Sequence, residues 1–175
     1  VELDEKYSKT IIRFIGKFIT DDSESKYNVL FKSLILKRLQ SSPKNAWNEL
    51  LSWLFMQQKD FSKAFIQEKA LYKRTLISMN DIVNVGKIAF DNQDYSTTQK
   101  VFNYIIDNSE NQSDILGAKL YLLYIAVESS EDLQSIENQF QQLFNAYGRA
   151  RETLEIQITY ADFLTFKKNE SNQAI

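Results

Sequence analysis

The 175-residue chain contains no histidine and no cysteine. The first absence removes the usual general base at neutral pH and the commonest metal ligand. The second removes the thiol nucleophile, the thiolate zinc site and any disulfide framework, and leaves the redox compartment open. Proline is confined to Pro43, and the four glycines, Gly16, Gly86, Gly117 and Gly148, stand alone. Little material is therefore present for tight turns between strands, and no glycine-rich loop can cradle a phosphate. The longest uninterrupted apolar run, 120–127, is far shorter than the roughly 18 to 20 residues that cross a bilayer. Membrane insertion is not expected, and the residues from Val1 onward do not read as a signal peptide. With 21 basic and 23 acidic residues the net charge is −2, so no global field draws in nucleic acid or an anionic membrane.

What is present suits helices. The chain is 43% hydrophobic, 25% charged and 13% aromatic, enough apolar material for a substantial core, with bulky rings to wedge helix pairs together. Residues 4–20 carry a broad stripe of Ile11, Ile12, Phe14, Ile15, Phe18 and Ile19. The Asp21-Asp22-Ser23 cluster then reads as a helix start, followed by a helix over 23–39 with Tyr27, Leu30, Phe31, Leu34 and Leu36 on its packed side. Pro43 behind Ser41-Ser42 fits the first position of a third helix, over 43–58, and Asp60 caps a fourth. Further helices are expected over 79–92, 95–106 behind an Asp94 cap, 114–128, 130–146 and 152–168. The 114–128 segment is so apolar that it should be the most buried, and Gly148 stands where a left-handed carboxyl cap needs glycine. Carboxylate pairs such as Asp21-Asp22 and Glu131-Asp132 sit at helix starts, where capping accounts for them without catalysis.

Tyr27, Phe61 and Tyr95 are spaced 34 residues apart, and the same interval relates Leu51 to Val85, Ser52 to Gly86, Asp60 to Asp94 and Ala64 to Thr98. Thirty-four residues is the tetratricopeptide repeat length. The expected fold is thus all-α, with antiparallel helix hairpins stacked as a right-handed superhelix, an α-solenoid, over a single repeat domain divided at about 1–42, 43–78, 79–112, 113–148 and a partial 149–175. The small residues Ser52, Gly86, Ala64 and Thr98 are read as packing positions where two helices approach closely.

The hairpins resemble the tetratricopeptide consensus. Its slots read Asn48, Leu51, Ser52, Phe55, Ala64 and Glu68 in one unit, and Ile82, Val85, Gly86, Ala89, Thr98 and Phe102 in the next. Both units lack the consensus tryptophan in its slot and the closing proline, which marks them as divergent. The segment 48–74, together with Asn92-Gln-Asp-Tyr95, Tyr147-Gly-Arg149 and Tyr160-Ala-Asp-Phe163, is similar to parts of longer Gram-negative bacterial proteins with further repeats on each side. That resemblance covers most of the chain from about residue 23. It implies a scaffold role, often in exported or periplasmic proteins, and brings no catalytic residue or defined ligand. The start at Val1 and the helix-like turn at 171–175 lead us to expect a piece of a longer protein.

In such arrays the first helix of each pair lines the concave face. Spacing selects Glu49, Trp53, Met56, Lys87, Phe90, Asp91, Tyr121 and Tyr124 as candidate partner-binding residues, with packing between adjacent pairs as the alternative for Trp53 and Tyr121. The Lys and Asn set with which chaperone-binding arrays hold a peptide carboxylate is missing, since Glu49 and Trp53 occupy the comparable stretch. The basic run 69–74 places Lys69 and Lys73 on one solvated face near a helix carboxyl end. The expected function is a non-enzymatic protein-interaction scaffold, without cofactor or metal, that holds a peptide or protein on its concave face. The alternative is a structural spacer or self-assembly segment.

Overall fold

In the computed structural model, residues 8–169 are described, and among them the secondary structure is helical throughout. The helices are α1 (Ser8–Ile15), α2 (Lys26–Ser41), α3 (Asn45–Gln57), α4 (Phe61–Thr75), α5 (Asn80–Asp91), α6 (Tyr95–Asn108), α7 (Gln112–Ser129), α8 (Leu133–Tyr147) and α9 (Leu154–Asp162). Helices pack against neighbours in sequence order. The chain divides into two compact units, the boundary falling within α6 after Thr97. The expected helix start at Asp4 and the turn at 171–175 lie outside the described residues.

In the first unit α3 is the centre: α1, α2 and α4 all pack on it, and α4 also packs on α5. Its buried residues run Ala46, Asn48, Leu50, Leu51, Ser52, Leu54 and Phe55. The turn after α3 shows why the next helix follows so closely. Lys59 takes a positive φ of 56°, its N–H bonds to Met56 O at 3.2 Å, and the Asp60 N–H bonds to Phe55 O at 2.9 Å. That pair of bonds is a Schellman motif, which satisfies carbonyls the helix end leaves open. The Asp60 carboxylate then accepts the Lys63 N–H at 3.1 Å and caps α4. Thirty-four residues later the arrangement recurs bond for bond. Gln93 has φ 62°, its N–H bonds to Phe90 O at 2.8 Å, the Asp94 N–H bonds to Ala89 O at 2.9 Å, and the Asp94 carboxylate accepts the Thr97 N–H at 3.0 Å.

In the second unit α7, α8 and α9 pack mutually around Leu116, Leu123, Ile136, Phe140, Phe144 and Phe163. The Phe140 ring lies 5.0 Å from Tyr160 and 5.6 Å from Phe163. The Arg149 guanidinium sits 4.3 Å from the Phe144 ring centre and 5.7 Å from that of Tyr160, which brings together the two downstream segments 147–149 and 160–163. Glu137 joins the far end: Tyr160 Oη donates to it at 3.2 Å and Lys168 Nζ at 2.8 Å, and Lys168 holds its carboxyl below the usual carboxylate range.

Several expectations are corrected. On α2 the packed stripe is Asn28, Phe31 and Ile35, whereas Tyr27, Leu30, Leu34 and Leu36 are exposed. Apolar residues occupy two stripes of that helix, and only one faces α3. Phe14 and Phe18 are exposed as well. The Asp21-Asp22-Ser23 cluster lies ahead of the helix, and Ser25 provides the cap. Buried Asn28 secures this connection, donating to Thr20 O and Asp22 O at 2.7 Å each. Helix α3 starts at Asn45, with extended Lys44 as its N-cap, so Pro43 stands outside the helix. The most thoroughly buried helix is α3 rather than α7, which is half-buried or buried all along 114–127 but seals fewer side chains completely. Gly148 has φ 74° and ψ −176°, a glycine-favoured conformation but not the left-handed helical one. The last helix gives way to a π-turn at Phe163–Lys167, where adjacent Phe163 and Leu164 are both buried.

Because a non-glycine residue in the left-handed region carries about 1 kcal/mol of strain or more, partly offset by glycine's greater freedom when unfolded, Lys59→Gly and Gln93→Gly should each stabilise the protein slightly, by about 0.5 kcal/mol. Asp60→Ala and Asp94→Ala should each cost about 1 kcal/mol through the lost cap. Urea denaturation of the four variants measures both signs.

Candidate functional site

The first unit contains a cleft of about 730 Å³ between α1, α3, α4 and α5. Its walls are built by helical spacing. Glu49, Ser52, Trp53 and Met56 lie one turn apart on α3; Glu68 and Tyr72 do so on α4; Asp81, Val85 and Ile88 do so on α5. Lys9 on α1 is the cationic side chain at the margin.

Glu68 determines the character of the site. It occupies the slot of α4 that Phe102 holds 34 residues later, and Phe102 is fully buried. In place of an aromatic wedge the first hairpin has a carboxyl group, with the Ser52 hydroxyl beside it. Burial, together with the nearby Asp81 and Glu49 charges, pushes the Glu68 carboxyl up to about 7, and the Ser52 bond opposes that rise. Beside it Asn48 takes the slot that Ile82 holds 34 residues later. Its Nδ2 donates to Gln67 Oε1 at 2.8 Å, and its Oδ1 accepts from Arg74 Nη2 at 2.6 Å. Arg74, at the end of the basic run, is thereby tied to the hairpin, while Lys69 Nζ lies 5.1 Å from the Phe65 ring centre.

Of the residues selected by spacing, Glu49, Trp53 and Met56 come together in this cleft, each half-buried. Trp53 also packs: its indole meets Phe31 edge-on at 6.3 Å and lies 3.6 Å from the position a Gly16 Cβ would take. One ring thus both packs on its neighbours and lines the cleft. Lys87 and Asp91 are exposed on α5 and do not line the cleft. Phe90 is half-buried with its ring 5.8 Å from Tyr95. Tyr121 and Tyr124 belong to the second unit, where Tyr121 stacks on Phe102 at 4.6 Å and meets Tyr124 edge-on at 5.6 Å. Sequence reasoning missed Glu68 and Asp81 and read Ser52 only as a packing residue; the available signal was a carboxylate standing in an aromatic slot of the repeat.

Among the described residues no group of acidic side chains is arranged to hold a metal ion. No described helix is long and apolar enough to cross a membrane.

Within the fold, Glu68 holds its proton at pH values where the unfolded chain has released it, so the folded state binds more protons between about pH 4.5 and 7. Stability from this group is present below that window, falls as pH rises through it, and is lost above about 7. Glu68→Gln, which keeps a partner for Ser52, should raise stability at pH 8 by about 1 to 2 kcal/mol and flatten the profile across the window. Thermal or urea unfolding of both proteins at pH 5 and pH 8 checks this. In comparisons with known proteins, no protein family, curated protein or solved structure matches the chain.

Proposed function

We propose that the chain is a tetratricopeptide-like interaction module, a superhelical array of helix hairpins, that holds a peptide or protein partner in the cleft formed by α3, α4 and α5. The single observation that carries this reading is the coincidence of Glu49, Trp53 and Met56, side chains on one face of α3, with a cleft large enough for several peptide side chains. A half-buried tryptophan and methionine beside fixed polar groups are the composition of an interface anchor. The repetition of the Asp60 turn at Asp94 supports the array, because identical turns lead successive helices out in the same local geometry. The reading is non-enzymatic and requires no cofactor; the sequence offers neither histidine nor cysteine for catalysis.

The second reading, a self-assembly segment, is favoured by one specific feature: Tyr27, Leu30 and Leu34 form an exposed apolar stripe on α2. Immobilised protein should retain its partner when Ile66, exposed on α4, is changed to Arg, and lose it when Met56 is changed to Arg. Retention by Met56→Arg contradicts the cleft reading. Concentration-dependent self-association in sedimentation, abolished by Leu30→Glu with Leu34→Glu, would select the second.

A further inference from the structure

We propose that the occupant of this cleft is a basic side chain, arginine or lysine, carried by an extended peptide. The inference rests on the reading of the cleft as a partner site and specifies its chemistry.

Charge and shape in the cleft point the same way. Three carboxylates enter the cleft from three different helices, Glu49 from α3, Glu68 from α4 and Asp81 from α5. None of the three is held in an ion pair among the described residues. Opposing them are Lys9 at the α1 margin and the side chain of Tyr72. The rest of the wall is apolar, with Trp53 and Met56 on one side and Ile88 on the other. An aliphatic stem ending in a cation matches this surface: the methylene groups lie along the apolar wall and the charged head meets the carboxylates. An anionic or carboxylate-terminated ligand would meet like charge from Glu49 and Asp81 and would drive Glu68 further towards its protonated form.

The Ser52 hydroxyl beside Glu68 favours the ionised carboxyl, the form that meets a cation. Burial and the Glu49 and Asp81 charges keep the proton on Glu68 near neutrality when the cleft is empty. A bound cation favours the ionised form, so occupancy releases a proton and binding strengthens as pH rises from 6 to 8.

Calorimetric titration with three alanine-based nonapeptides, differing only in a central arginine, norleucine or glutamate, tests the inference. At pH 8 the arginine peptide should bind at least about tenfold more tightly than the norleucine peptide, with the glutamate peptide weakest. Its affinity should fall between pH 8 and pH 6, with proton release seen as a dependence of heat on buffer ionisation. Glu68→Gln should weaken arginine-peptide binding at pH 8 by about tenfold and remove the pH dependence, while circular dichroism confirms an unchanged fold. Equal binding of the norleucine and arginine peptides, still abolished by Met56→Arg, overturns the basic-side-chain inference and leaves the partner-site reading standing. Arginine-peptide binding unaffected by both Glu68→Gln and Met56→Arg overturns the inference and the use of this cleft together. Failure of all three peptides to bind overturns the inference, whereas the partner-site reading falls only if captured protein survives Met56→Arg.

Discussion

One aspartate does two jobs in each of two turns, and the local architecture depends on it. The Asp60 amide closes α3 through Phe55 O, and its carboxylate opens α4 through the Lys63 N–H. Since the same residue ends one helix and begins the next, the connection has almost no freedom, and the direction of α4 is set as soon as Lys59 enters the left-handed region. Asp94 repeats both bonds. The chain accepts strained Lys and Gln where glycine would be easier, so the constraint is maintained by hydrogen bonds and packing rather than by backbone ease.

With the helix direction fixed, the side chains that meet across the hairpin decide what it becomes. Ala64 and Ser52 are buried and small enough for α3 and α4 to come close. Ser52 then reaches Glu68, and Asn48 reaches Gln67 and Arg74. Thirty-four residues later the same slots hold Ile82, Gly86 and Phe102, all apolar or small. The first hairpin thus exchanges part of an apolar seam for a polar network, and the price in stability is concentrated at Glu68, the carboxyl that burial drives towards neutrality.

Helix content, the Asp60 and Asp94 caps and the close-packed small residues were legible from the sequence because each depends on neighbours within a few positions or on a fixed 34-residue interval. The α2 face was misjudged because apolar periodicity reports which residues could be buried, and that helix offers two such stripes to one neighbour. The Ser25 cap and the Asn28 bonds to Thr20 and Asp22 depend on how the chain folds back between α1 and α2, which spacing does not encode. Glu49, Trp53 and Met56 were found because they share one face of one helix. Glu68 and Asp81 were not, since their convergence is a product of three helices meeting.

The account's central claim is that one turn, used twice, sets the helix pairs, and amide hydrogen exchange resolved residue by residue measures it most directly. The Asp60 and Asp94 amides should exchange slowly and to a similar degree, as hydrogen-bonded groups closing a helix do, although both lie in connections between helices. Rapid exchange at either aspartate, at the rate of an open loop, would contradict the claim.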